Sequence, residues 1–318
     1  MDSNSRVFIA GAQGMVGSAI KRNLESKDYN DIYWVRKKNC DLRNRLEVDA
    51  YFKQSQPEYV FLAAAKVGGI GGNSTYPADF IYQNMMIEAN IINSAYENKV
   101  KRLLFLGSTC IYPKAVEQPM REDALLTGIL EATNEPYALA KIAGVKLCES
   151  YNRQYNTDFR SVMPTNLYGI NDNFHQEDSH VIPALMRRFH EAKVKQEPEV
   201  VVWGTGNAMR EFLYVDDMAE ASLFVLGLNQ KTYQDITKPM LSHINIGTGK
   251  EVTIREMAET MKDIVDFGGK ITFDDTKPEG SLRKLIDVSL LSSIGWQYKT
   301  DLKLGLEKTY EWYQVNIK

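Results

Sequence analysis

An apolar run at residues 6–10 (RVFIA) leads directly into Gly11-Ala12-Gln13-Gly14-Met15-Val16-Gly17, and residues 18–25 continue in a helical pattern. Strand, glycine turn and helix in that order admit few folds. Gly11 permits a tight turn, Gly14 lets backbone approach a pyrophosphate, and Gly17 lets the helix pack closely on its strand. The free N–H groups at the helix start then suit phosphate. An ordinary glycine-rich turn is the plain alternative, but a strand before it and a helix after it favour a dinucleotide site. A second strand, residues 31–35 (DIYWV), ends in Arg36-Lys37-Lys38. A carboxylate there would hold the ribose hydroxyls of NAD, whereas these cations favour the 2′-phosphate of NADP. A solvated loop with incidental charge is the alternative. Asp41 and Leu42 follow, where the chain turns beside the adenine.

Residues 42–54 read as a helix, and Pro57 breaks it before residues 58–65 (EYVFLAAA), a continuous apolar run. Such a run suits a parallel strand covered on both faces. Ala63, Ala64 and Ala65 keep side chains small where backbone runs past a cofactor. The glycine-rich residues 66–77 predict a mobile loop, residues 78–98 a long helix, and residues 102–106 a further strand. The alternation predicts an α/β fold, a Rossmann-like doubly wound parallel sheet. Its site lies beyond the carboxyl ends of the strands, where Gly11, Ala63 and Ser108 sit.

Residues 107–141 hold the candidate chemistry. Asn134-Glu135-Pro136 starts a helix, with Pro136 early enough that no donor is missed, so Tyr137 falls in its first turn. Lys141, four residues on, shares its face. A lysine charge there favours phenolate and should lower the tyrosine pKa from its usual value of about 10. Ser108, from the strand end, can hydrogen-bond the same oxygen. That trio suits proton transfer at a carbonyl or hydroxyl during hydride transfer, although Tyr-x-x-x-Lys alone is common on helices. Residues 111–133 form a long loop, and such loops are often functional. Cys148 reads as a core thiol.

Residues 159–163 form another strand, ending in Pro164-Thr165-Asn166-Leu167. The polar, aperiodic residues 170–179 place the domain boundary. Residues 1–169, with a returning segment near 212–247, form the NADP-binding domain. Residues 170–318 form mainly a smaller, mixed α/β C-terminal substrate domain. His180-Val181-Ile182-Pro183 opens a helix over 184–193 that carries Arg187 and Arg188. Residues 200–203 read as a short strand ending in Trp203. Arg188 and Arg210 are candidates for clamping a diphosphate, because guanidinium forks match phosphate oxygens. Trp203 either packs on a base or fills the smaller core. Asp216 and Asp217 read as helix N-caps. Residues 251–265 and 302–315 are further helices.

The 318 residues, 44% hydrophobic and 25% charged, are ordinary for a soluble protein. A net charge of -3 makes no electrostatic case for nucleic acid or an anionic membrane. Cys40, Cys110 and Cys148 are too scattered for a disulfide framework or a metal site, and they suit a reducing, cytoplasmic setting. The polar start, MDSNSR, predicts no signal peptide. No apolar run approaches the ~20 residues of a membrane span.

Longer strings narrow the reading. Residues 14–19 (GMVGSA), 63–70 (AAAKVGGI), 75–84 (TYPADFIYQN), 108–114 (STCIYPK), 134–141 (NEPYALAK), 171–175 (NDNFH) and 179–185 (SHVIPAL) resemble the GDP-L-fucose synthase family. This is a branch of the extended short-chain dehydrogenases/reductases. Met209-Arg210-Glu211-Phe212 and Lys277-Pro278-Glu279-Gly280 carry the likeness towards the C-terminus. The resemblance implies C3 and C5 epimerisation of GDP-4-dehydro-6-deoxy-D-mannose, followed by NADPH-dependent reduction at C4, in a homodimer.

It also implies roles. Tyr137 is the proton donor, Ser108 its hydrogen-bonding partner, and Lys141 holds the nicotinamide ribose. Cys110 and His180 match the acid/base pair; a thiol and an imidazole both titrate within reach of neutral pH. Gly11, Gln13, Gly14, Met15, Val16, Gly17, Leu106, Gly107, Pro164, Thr165, Asn166, Leu167 and His180 fall at cofactor positions. Ser108, Cys110, Asn166, Val181, Arg188, Trp203, Arg210 and Glu279 fall at GDP-sugar positions. Gln13 departs from the pattern, which expects a basic residue, often Arg, and this weakens the NADP preference. Glu279 replaces an expected Asp. His175, His190 and His243 read as structural. A nucleotide-sugar 4-epimerase or 4,6-dehydratase is the rival within the class. The dehydratase usually carries Thr-Asp-Glu where this chain has Ser108-Thr109-Cys110. A non-catalytic NADP-binding scaffold is the rival outside it.

Overall fold

The computed structural model describes every residue except 177–178, 278–281 and 318. Its centre is a six-stranded sheet, all parallel, built from β1 (Val7–Ala10), β2 (Ile32–Tyr33), β3 (Tyr59–Leu62), β4 (Arg102–Leu106), β5 (Phe159–Pro164) and, last in sequence, His243–Ile246. The spatial order is His243–Ile246, β5, β4, β3, β1, β2. After β2 the chain crosses back over β1 to begin β3. The direction of winding therefore reverses between β1 and β3, where open α/β sheets bind their ligands.

Each apolar run resolves into two faces. Phe8, Ala10, Val60, Leu62, Leu103 and Phe105 enter one core cluster. Val7, Ile9, Phe61, Leu104 and Leu106 enter the other. This period of two inside continuous hydrophobic sequence marks a strand covered on both sides. The first face is covered by α2 (Arg45–Ser55), α4 (Pro77–Glu97) and α5 (Glu135–Tyr155), and the second by α1 (Met15–Glu25) and α7 (Val215–Gly227). A third cluster draws on residues from Tyr168 onward and joins α6 (Val181–Lys195), Glu199–Trp203, Ile254–Val265 and Leu302–Asn316.

Three local expectations are corrected. Residues 66–77 contain a short helix, α3 (Ile70–Thr75), rather than a loop throughout. Asn73 Nδ2 donates to the carbonyls of Gly68 and Gly69, at 2.9 and 3.0 Å. Asn84 both donates to and accepts from the Lys66 backbone, and these side chains supply the order that glycine does not. The edge strand β2 is two residues long, shorter than its apolar run. Asp216 and Asp217 lie inside the first turn of α7, and the N-cap is Tyr214. Asp217 instead accepts from the backbone of Lys299 and Thr300, while Asp216 pairs with Arg22.

Candidate active site

Gly11 has a φ of +88°, and a Cβ on it would lie 2.7 Å from the Ala64 nitrogen. The turn after β1 is thus pressed against the alanines after β3. A Cβ on Gly17 would lie 2.1 Å from the Gly11 carbonyl oxygen, so helix and turn also touch. Gly14 differs, since the nearest atom to its added Cβ is 3.6 Å away. Nothing in the chain's own packing requires glycine there. Its open face, at the N-cap of α1 with no side-chain cap, fits a dinucleotide pyrophosphate.

Around that turn Gln13, Arg36, Lys37 and Lys38 are exposed. The Arg36 guanidinium stands 5.6 Å above the Trp34 ring. Asp41 is held by Arg43, whose hydrogen bonds lower its carboxyl to about 2. Asn171 Nδ2 donates to the Gln13 carbonyl at 3.0 Å and ties the glycine turn to the chain beyond β5. No role for Arg43 or Asn171 shows in the sequence pattern. Each acts on a partner brought to it by a turn.

Ser108 leaves β4 in extended conformation and accepts the Cys110 N–H at 3.3 Å. The next residues form a tight turn, Thr109–Ile111, which lifts Cys110 out of the sheet to a half-buried position. Asn134 Nδ2 approaches Cys110 Sγ at 3.3 Å, and Lys284 Nζ lies 4.0 Å from the same sulfur. Asn134 is also the N-cap of α5, without a side-chain cap bond. The element that starts the Tyr137 helix therefore touches the thiol directly. Tyr112 anchors the rest of the loop, donating to Asn245 Oδ1 at 2.5 Å and meeting His243 Nε2 at 3.1 Å.

Tyr137 sits in the first turn of α5, edge-on to Phe80 with centroids 6.4 Å apart. The expected lowering of its pKa is corrected. Burial around the hydroxyl raises it well above the ordinary tyrosine range, the Cys110 and Glu88 charges raise it further, and a hydrogen bond with Ser108 opposes them. The Lys141 ammonium has partners of its own. Its Nζ lies 3.1 Å from Glu88 Oε1 and donates to the Leu106 carbonyl at 3.0 Å. The ammonium also stands 4.8 Å above the Phe105 ring.

His180 caps α6 without a side-chain bond, and the protein mass nearby lowers its pKa. Gly69 brings the segment after β3 against it, since a Cβ there would lie 3.5 Å from the Ser179 carbonyl oxygen. Pro164 and Thr165 are buried at the end of β5, and Leu167 is half-buried. Asn166 Nδ2 donates to the Glu211 carbonyl at 2.8 Å. Glu211 is itself a buried hub, accepting the backbone N–H groups of Thr248, Gly249 and Ile286. Further along the chain, Val181 begins α6 and Arg188 on that helix donates to the Val201 carbonyl. Burial, then the Arg187 charge, lowers the pKa of Arg188. Arg210 is half-buried and Trp203 is 58% exposed at the end of its strand. Glu279 lies outside the described residues. Among the described residues no cluster could hold a metal ion, and no helix is long and apolar enough to cross a membrane.

Residues 7–247 match the model of the NAD dependent epimerase/dehydratase family. The chain is 57% identical to GDP-L-fucose synthase of Escherichia coli (strain K12), over 99% of this chain and 98% of that one. It is 55% identical to GDP-L-fucose synthase 1 of Arabidopsis thaliana, over 99% and 95%. Among solved structures, a GDP-L-fucose synthetase from Naegleria fowleri bound to NADP superposes with a TM-score of 0.88 at 28% identity, over 99% and 96% of the two chains.

Proposed function

The chain belongs to the NAD dependent epimerase/dehydratase family, and we propose that it converts GDP-4-dehydro-6-deoxy-D-mannose to GDP-L-fucose. It epimerises C3 and C5 and then reduces C4 with NADPH. The observation that carries this reading is a thiol beside a phenol. Ser108, Cys110 and Tyr137 converge where β4 ends and α5 begins, with Asn134 bridging the two segments. A reductase alone needs the phenol, and the thiol adds a second proton carrier.

The chemistry shares one pocket because the C4 ketone acidifies the C–H bonds on both sides of it. Cys110 and His180 remove and return protons at those carbons. Tyr137, with Ser108 against its oxygen, polarises the ketone and then donates the proton that completes reduction. Bound NADPH supplies the hydride. Gly11, Gly14 and Gly17 give it a close backbone approach, Arg36, Lys37 and Lys38 face its 2′-phosphate, and Lys141 holds its nicotinamide ribose. Arg188, Arg210, Trp203 and Glu279 hold the GDP moiety.

Residues 1–169 with the returning strand serve the cofactor, and residues 170–318 mainly the sugar nucleotide. The active form is a cytoplasmic homodimer. Tyr82 and Met85 on α4, with Leu139 and Tyr155 on α5, expose apolar surface that supports the pairing. Incubation with GDP-4-keto-6-deoxymannose and NADPH, followed by NMR of the product sugar, tests the function. Formation of GDP-L-fucose is expected; a product retaining the D-manno configuration at C3 and C5 overturns it.

A further inference from the structure

Tyr112 follows the proposed acid/base thiol by two residues, and its hydroxyl sits in a buried network that the proposed reaction does not use. Tyr112 is 3% exposed, and His243 and Asn245, on the last strand of the sheet, are fully buried. Asn245 Nδ2 donates to the carbonyls of Met120 and Asp287, at 3.0 and 3.1 Å, which leaves Oδ1 as the acceptor facing the phenol. The single hydroxyl hydrogen of Tyr112 goes to that oxygen at 2.5 Å. His243 Nε2, 3.1 Å from the phenol oxygen, then carries a hydrogen and donates it. Burial, and then the Lys146 charge, lower the pKa of His243 to about 3, so the ring is neutral and its Nδ1 is bare. A bare nitrogen fits the place, since among the described residues Nδ1 has no hydrogen-bond partner.

Donation therefore runs from His243 through Tyr112 to Asn245, and it ties the chain after β4 to the edge strand. Glu122, ten residues further along the same loop, accepts the Asn245 backbone N–H at 3.0 Å and fixes the loop a second time. The turn that carries Cys110 is held less closely by its own bonds. Cys110 N–H reaches Ser108 Oγ at 3.3 Å, Ile111 N–H the Ser108 carbonyl at 3.2 Å, and Tyr112 N–H the Thr109 carbonyl at 3.3 Å. Turns of this tight kind have poor hydrogen-bond geometry. The place of the turn is thus set by what holds its two ends, β4 before it and Tyr112 after it. A phenylalanine ring would fill the same space at position 112; the hydroxyl adds a fixed anchor. We propose that Tyr112 is a positioning residue for the epimerisation: its hydroxyl, held between His243 and Asn245, anchors the turn that carries Cys110 and so sets where the thiol stands. The role rests on the proposed epimerase activity.

The test compares Tyr112→Phe with wild type in three readouts. The first is solvent deuterium incorporation at C3 and C5 of GDP-4-keto-6-deoxymannose, with NADP+ bound so that no reduction follows. The second is NADPH oxidation on a substrate already epimerised. The third is alkylation of Cys110 by iodoacetamide in the resting enzyme, read on its peptide by mass spectrometry, since Cys40 and Cys148 are buried. In the Phe variant deuterium incorporation should fall by about tenfold, the scale of one lost hydrogen bond. NADPH oxidation should keep its rate, and alkylation should speed up as the turn loosens. A hydroxyl that serves the fold alone would lower the melting temperature, or both rates together. Equal losses, unchanged incorporation, unchanged alkylation or any other pattern in a folded variant overturns the role. If circular dichroism shows the Phe variant unfolded, His243→Leu decides, because it removes the donor and leaves Tyr112 bonded to Asn245. Selective loss of incorporation then supports the role; equal loss, no loss or a second failure to fold overturns it. Wild type that makes no GDP-L-fucose from this substrate with NADPH overturns the proposed function, and this role with it. Wild type that makes it, beside a variant without the selective loss, overturns the role alone.

Discussion

The two side chains proposed as proton carriers, Tyr137 and Cys110, stand at one junction of the sheet, in unlike surroundings. Around Tyr137 the charges are sealed in. Lys141 and Glu88 neutralise each other below it, and burial raises the phenol's pKa. Around Cys110 the groups are half-buried, with an amide at 3.3 Å and an ammonium at 4.0 Å. Tyr137, itself half-buried, gives up a proton only when a strong base forms next to it, as the C4 oxygen would become during the proposed reduction. Cys110 stands among polar donors, in the place of the proposed acid/base thiol. On the proposed roles, the difference divides the two reactions by environment within a few residues of chain, without separate pockets.

The largest expected effect breaks the phenol side. Tyr137→Phe should lower NADPH oxidation by about 10³-fold, in the range that a lost general acid costs. Deuterium incorporation into the sugar should continue at a reduced rate. Equal collapse of both would mean that the phenol serves the two steps alike and that the division is wrong. Cys110→Ser tests the thiol side, with loss of about 10²-fold in deuterium incorporation and a smaller loss in hydride transfer. Isotope incorporation followed by NMR, beside NADPH absorbance, reads both rates from one sample.

Asn134→Ala sharpens the comparison further. The side chain makes no cap bond to α5, so helix stability should stay near wild type. The contact with Cys110 Sγ is lost, and isotope exchange should slow by up to about tenfold, the scale of one hydrogen bond. NADPH oxidation on a substrate already epimerised should not change. A fall in melting temperature accompanied by equal losses in both rates would assign Asn134 to the fold rather than to the thiol.

The sheet side of the site was legible in the chain because local pattern decides it. The glycine spacing, the apolar runs and Tyr137-x-x-x-Lys141 each lie within a few residues. The environment of the phenol was not legible, and its pKa direction was read with the wrong sign. Lys141 invites the reading of a free cation, but its partner comes from 53 residues earlier on another helix. A signal for Glu88 existed. Phe80, Asn84, Glu88, Ile91, Ile92 and Ala95 lie on the buried side of α4, so an acidic residue falls within an inward stripe. Charge on an apolar face calls for a partner. Asn134 read only as a helix start, because its contact with sulfur depends on the turn that lifts Cys110. Asn171 was out of reach for a similar reason: its bond to the Gln13 carbonyl spans 158 residues.

The smallest effect belongs to the cofactor rim, and its size follows from exposure. Gln13, Arg36, Lys37 and Lys38 face water, unlike the sealed pair under Tyr137. Charges in that setting are screened, and each is worth at most about 1 kcal/mol. NADPH should therefore be preferred over NADH through several weak contacts rather than one strong one. Gln13→Arg should raise the ratio of kcat/KM for NADPH to that for NADH by about threefold to fivefold, and added salt should erase much of the gain. The backbone geometry supports a local effect, because Asn171 holds the Gln13 carbonyl whatever side chain follows. An unchanged ratio would place the 2′-phosphate away from residue 13, against Arg36 to Lys38 alone. A gain of 10²-fold would mean that the rim is far better shielded from water than its exposure indicates.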